Sequence, residues 1–121
     1  MGFAEEKPIY LQISEKIEDA ILSGAFEENT QVPSTTEISV NYKINPATAL
    51  KGISLLVEEG IVYKKRGLGM FVAPGAKERI EKKRRNNFYD SYVRTLVSEA
   101  KKLGLNKKDL LEQIERGFDD E

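Results

Sequence analysis

Two helix-starting signals fall eleven residues apart in this chain, and they restrict its fold more than any other feature. In Ser34-Thr35-Thr36-Glu37, a serine is followed three residues later by a glutamate. At that spacing each side chain satisfies the other's backbone N–H at a helix start. Asn45-Pro46 gives the signal again in another form. Asparagine is a favoured N-cap, and proline suits the first helical position, where its missing N–H costs no intrahelical bond. The first helix is expected over about 34–41, with Ile38 and one of Val40 or Tyr42 on its inner face. The second is expected over about 46–59, with Ala49, Ile53, Leu56 and Val57 buried and Gly60 as the stop. Only Tyr42 to Ile44 lie between them. So short a turn between two capped helices is the signature of a helix-turn-helix.

The flanking pattern completes a small domain. Upstream, Pro8 opens a helix over about 8–23 whose inner face is Ile9, Ile13, Ile17 and Ala20-Ile21, with Glu15, Lys16, Glu18 and Asp19 off that face and Gly24 at its end. Residues 25–33 read as polar and irregular. Downstream, Ile61-Val62-Tyr63 and Phe71-Val72 are short β-branched and aromatic runs joined by Lys64-Lys65-Arg66-Gly67-Leu68-Gly69. Two such runs around a glycine-containing basic loop predict a β-hairpin, which after a helix-turn-helix is a wing. Pro74-Gly75 marks the domain boundary. A long helix follows over about 76–103, then Gly104, then a last helix over about 107–117 capped by Asn106. The expected fold is mainly α with a small β-hairpin wing: a winged helix-turn-helix DNA-binding domain over 1–75 and a two-helix C-terminal dimerisation tail over 76–121.

Charge supports a nucleic-acid partner only when it is read locally. The net charge is −1, but residues 61–85 hold nine basic and two acidic side chains, while residues 1–60 hold four basic and ten acidic. Phosphates respond to the local patch, within a Debye length of roughly 8 Å. The chain has no cysteine and no histidine. Disulfides and thiolate metal sites are therefore excluded, and the commonest general base and zinc ligand are missing, so neither a metal, a cofactor nor an enzymatic activity is expected. No apolar stretch is long enough to span a bilayer, and Glu5 and Glu6 are unlike a secretory leader, which together point to a cytoplasmic protein with no membrane partner.

The candidate DNA-binding residues fall in three places. At the start of the 46–59 helix, the segment expected in the major groove, Asn45, Ala47, Thr48, Leu50 and Lys51 are off the apolar face. Thr48 can hydrogen-bond a base or phosphate, Ala47 or Leu50 can pack on a thymine methyl, and Lys51 can reach a phosphate or guanine; Asn45 also has a purely structural role as a cap. Lys64, Lys65, Arg66 and Gly67 form a basic tip suited to the backbone or the minor groove. Ser34, Thr35 and Thr36 present hydroxyls and free N–H groups at a helix start, where a phosphate is favoured, with Ser34 the residue that caps. The basic run Lys77, Arg79, Lys82, Lys83, Arg84 and Arg85 reads as a solvated helix side rather than as part of this face.

The tail carries an apolar stripe: Phe88, Tyr89, Tyr92, Val93, Leu96 and Val97 on the long helix, and Leu110, Leu111 and Ile114 on the last. Two helices have too little core to fold alone, so the stripe needs a partner surface. A second copy fits best, because a two-fold dimer reads two half-sites of a palindromic double-stranded operator. Phe88, Tyr89 and Tyr92 would also suit the lining of a small-molecule effector pocket, although aromatics at helical spacing are more often core. A winged-helix module that binds protein instead of DNA is the alternative, supported by the acidic balance of residues 1–60.

Pro8-Ile9-Tyr10-Leu11-Gln12-Ile13, Val32-Pro33-Ser34, Glu58-Glu59-Gly60-Ile61 and Gly67-Leu68-Gly69-Met70-Phe71-Val72 together resemble the N-terminal domain of GntR-family bacterial regulators. The "PIYLQI" opening, Asn45-Pro46-Ala47-Thr48 and the short C-terminal part resemble the YtrA-type subfamily. The resemblance implies a cytoplasmic repressor that binds its operator as a dimer, with a two-helix dimerisation tail, acting on its own or a transporter operon. The chain departs from the pattern at Thr36, Pro46 and Leu50, where relatives often carry arginine, so fewer bidentate guanine contacts are expected. Lys43 stands where helix-turn-helix turns often have glycine.

Overall fold

The computed structural model describes residues 7–120; Glu5 and Glu6 lie outside the described residues. Helix α1 (Ile9–Leu22) buries Ile13, Ile17 and Ile21 at four-residue spacing. Ile9, expected on that face, is exposed in the first turn, while Glu18, expected in solvent, is buried with Ser14. Pro8 takes the N-cap position, and the chain turns away at Gly24 with φ 86°.

Helix α2 (Thr35–Tyr42) starts with the predicted reciprocal cap: the Glu37 N–H donates to Ser34 Oγ at 3.0 Å and the Ser34 N–H to the Glu37 carboxylate at 2.9 Å. Only Ile38 on this helix is buried. Val40 (68 % exposed) lies about 200° round the helix from Ile38, and Tyr42, on Ile38's side but in the last turn, also stays at the surface. Lys43 ends α2 in the left-handed conformation, φ 54°, which explains why glycine suits this turn. The Ser39 hydroxyl donates to the Ile44 carbonyl at 2.8 Å and braces the turn from inside.

Helix α3 (Pro46–Glu58) buries Ala49, Gly52, Ile53 and Leu56. Val57, expected in this row, is exposed. α1 crosses α3 at Gly52, where an added Cβ would lie 2.8 Å from the Tyr10 carbonyl oxygen. The buried Ser14 hydroxyl donates to the Gly52 carbonyl at 2.7 Å and ties the two helices together.

Strands β1 (Val62–Lys65) and β2 (Gly69–Val72) pair antiparallel, with Val62 opposite Val72 and Lys65 opposite Gly69. The strands are longer than predicted: Lys64 and Lys65 belong to β1, and the turn is Arg66–Gly67–Leu68. The segment expected to be irregular also contributes. Residues 29–32 run along the other edge of β2, with the Val32 N–H donating to the Met70 carbonyl at 2.9 Å and the Val72 N–H to the Thr30 carbonyl at 2.9 Å. Its polar sequence hides a pairing that depends on backbone groups and on a single buried side chain, Val32.

Helix α4 (Ala76–Phe88) begins after Gly75. Ala76 and Ile80 are fully buried in the winged core, so that compact unit runs on to Lys82 instead of stopping at Gly75. The second unit begins at Lys83. It is not one unbroken helix to 103: a π-helical turn, Tyr89–Val93, separates α4 from α5 (Arg94–Lys102). A π turn spends one residue more than an α turn, and period alone does not reveal it. Asn106 and Asp109 form a second reciprocal cap at α6 (Lys107–Asp119). Ala100 is buried, while Phe88, Tyr89, Tyr92, Leu96, Val97, Leu111 and Ile114 are exposed and Val93 and Leu110 are half-buried. Among the described residues, no helix is long and apolar enough to cross a membrane.

Candidate nucleic-acid interface

The start of α3 is capped by Asn45, whose side-chain oxygen accepts from the Ala47 N–H at 2.7 Å. Capping uses only that oxygen, and the carboxamide NH2 remains a donor. Ala47, Leu50 and Lys51 are exposed on the first turns of the helix. Thr48 is half-buried, less open than expected, because it is next to the buried Ala49 row. Lys51 does not extend freely: its Nζ lies 4.1 Å from the centroid of the Tyr10 ring on α1.

At the start of α2, Ser34 is committed to the cap, Thr35 is half-buried and Thr36 is exposed. The Ser34 backbone N–H, and then its hydroxyl, hold the Glu37 carboxyl below its ordinary value. The helix start therefore already carries an internal carboxylate that shares its positive end.

The wing is stiffer than a bare hairpin. Tyr63 and Phe71 stack across the strands with ring centroids 5.9 Å apart. Alternation along β1 puts Lys65 on the face of Tyr63, and its Nζ lies 4.7 Å from the Phe71 centroid and 5.9 Å from that of Tyr63. The Gln31 carboxamide donates to the Leu68 carbonyl at 2.9 Å and ties the turn to the neighbouring segment. Gly69 is required here: its φ is 118°, and a Cβ would meet Gln31 Nε2 at 2.5 Å. Lys64, Lys65, Arg66 and Gly67 are all exposed. The compact unit that ends at Lys82 thus presents an exposed cationic turn and an exposed helix start beside a helix-turn-helix.

Residues 9–72 match the family model "Bacterial regulatory proteins, gntR family". The chain belongs to the GntR family. Among curated GntR relatives, the HTH-type transcriptional regulator YhcF of Bacillus subtilis, itself uncharacterised, is 32 % identical over 93 % of this chain and 91 % of its own length. Two other curated relatives from Bacillus subtilis, the uncharacterised HTH-type transcriptional regulator YurK and the HTH-type transcriptional repressor NagR, are 34 % and 35 % identical over 54 % of this chain, which spans 27 % of their length. A GntR family transcriptional regulator from Listeria monocytogenes has the same fold, with a TM-score of 0.72 and 28 % identity over 94 % of this chain and 98 % of that one. The DNA-binding domain of AraR, solved in complex with operator ORX1, is 31 % identical with a TM-score of 0.55, over 60 % of this chain and 90 % of that one. The protein is thus a GntR-family transcriptional regulator.

The sequence did not reveal the aromatic contacts of Lys51 and Lys65, nor the Gln31 brace. One signal for the first was available: a glycine inside a helical pattern, Gly52, marks a close approach of another backbone.

Proposed function

We propose that this protein is a dimeric, sequence-specific, operator-binding repressor of the bacterial cytoplasm. The helix α3 start (Asn45, Ala47, Thr48, Leu50, Lys51) reads bases and neighbouring phosphates. The wing tip (Lys64, Lys65, Arg66, Gly67) and the α2 start (Thr35, Thr36, with Ser34 as cap) hold the backbone. The observation that carries this is the joint exposure of the cationic turn and the α3 start in one compact unit, in a chain whose relative AraR was solved with operator DNA. Residues beyond Lys82 supply the dimer contact through Phe88, Tyr89, Tyr92, Val93, Leu96, Val97, Leu110, Leu111 and Ile114. Two copies then read a palindromic site. The "PIYLQI" opening and Asn45-Pro46-Ala47-Thr48 favour the YtrA type, and with it control of the protein's own or a transporter operon.

The test is footprinting and gel shift on the region upstream of its own gene. A protected palindrome is expected, with affinity falling as salt rises, by a log–log slope of about −0.9 per phosphate contacted. Arg66→Ala should weaken binding by about 1–3 kcal/mol if the guanidinium enters a groove. Binding that ignores salt, or none on any duplex, overturns the proposal in favour of a protein-binding winged helix.

A further inference from the structure

Close packing at Gly52 brings the neighbouring residue, Lys51, over the Tyr10 ring, 4.1 Å from its centroid. Lys51 is exposed and Tyr10 half-buried, so the ammonium rests on a fixed platform while remaining open to solvent. We propose that Tyr10 is a positioning residue for DNA binding, whose ring holds the Lys51 ammonium at the edge of α3 ready for a backbone phosphate. This rests on the DNA-binding function proposed above.

Three physical points support it. A ring face attracts a cation without using any of its N–H donors, so all three stay available to phosphate oxygens. The ring also covers one side of the ammonium and restricts its four-carbon stem. Part of the ordering and desolvation that a phosphate contact demands is therefore completed when the protein folds. Finally, Lys51 is four residues after Ala47 and three after Thr48, on the same side of α3 as the proposed base-reading residues. Lysine–phosphate contacts carry no sequence information, so the effect belongs to any duplex.

The experiment measures binding of the full chain to a fluorescein-labelled duplex of mixed sequence by anisotropy across a salt series. The proteins are wild type, Tyr10→Phe, Tyr10→Leu, Lys51→Met and the Tyr10→Leu/Lys51→Met double variant. Lys51→Met should reduce the log–log salt slope by about 0.9. Tyr10→Leu should weaken binding about five-fold when Lys51 is present and less than about two-fold when it is not. Tyr10→Phe keeps the ring and should stay within about two-fold of wild type. In the free wild-type protein, the Lys51 ε-methylene protons should be shifted upfield by the ring, a readout that needs no variant to fold.

An unshifted Lys51 resonance overturns the proposal. So does an equal loss from Tyr10→Leu in both lysine backgrounds, the mark of a merely structural tyrosine. Wild-type binding with these additive effects removes Tyr10's role alone. Absence of salt-dependent binding by the wild type removes the DNA-binding function as well.

Discussion

Gly52→Ala should destabilise the winged unit, against the usual sign for this substitution. In an open helix interior, Gly→Ala gains about 1 kcal/mol through backbone entropy. At Gly52 the new methyl would lie 2.8 Å from the Tyr10 carbonyl oxygen and 3.1 and 3.2 Å from Ile13 Cγ2 and Cβ. None of these is the free end of a flexible side chain; one is backbone and the others belong to a buried core residue. α1 must therefore move away from α3, at an overpacking cost of about 1–3 kcal/mol. The same movement stretches the buried Ser14–Gly52 hydrogen bond, whose loss costs about 1–3 kcal/mol. After subtracting the helix gain, the net loss is about 3 kcal/mol, or roughly 10–20 °C in Tm for a domain of this size. Gly117 supplies the control: it lies inside α6, and nothing is within 4 Å of a Cβ built there. Gly117→Ala should stabilise by up to about 1 kcal/mol. Urea and thermal unfolding followed by far-UV circular dichroism measure both. A Gly52→Ala protein that melts at or above wild type would refute the tight crossing and the argument built on it.

Lys43→Gly should raise stability by about 0.5–1 kcal/mol, since relief of the left-handed strain exceeds the entropy glycine adds to the unfolded chain; chemical denaturation reads the sign. Ser34→Ala should cost about 1 kcal/mol by removing the α2 cap, measured the same way. The folded-state pKa of Glu37 is lowered, so its contribution is present above the ordinary carboxylate value and disappears as pH falls through the lowered one. Glu37→Gln, which cannot titrate, should therefore show a shallower loss of stability on acidification. Leu96→Asp should shift the sedimentation profile from two chains to one while leaving the helical signal of the winged unit in place; an unchanged dimer would place the subunit contact elsewhere.

The elements that carry local signals were legible in the sequence. Ser34 with Glu37, Asn45 with Pro46 and Asn106 form caps where the residue types require them, because a cap is decided within four residues of chain. The hairpin was legible from its β-branched runs and glycines. What was not legible depends on contacts between distant segments. The pairing of residues 29–32 with β2 uses main-chain groups that leave no side-chain pattern. Glu18 is buried although it is charged, and Ala76 and Ile80 join the winged core from beyond a Pro-Gly boundary, neither of which a local pattern displays. In the candidate site, the cations were identifiable by type, but not the rings beneath Lys51 and Lys65, which come from α1 and β2.

β2 is a middle strand, flanked by β1 on one edge and residues 29–32 on the other. A free two-stranded hairpin would offer two open rows of N–H and C=O groups to other chains. Here β2 has no free row; the margins are the short 29–32 segment on one side and, on the other, the outer row of β1. That row is four residues long and ends in Lys64 and Lys65. Short, lysine-bearing margins are poor templates for sheet growth between molecules. The positive charge of the wing thus disfavours strand pairing between molecules at the β1 margin, independent of any nucleic acid.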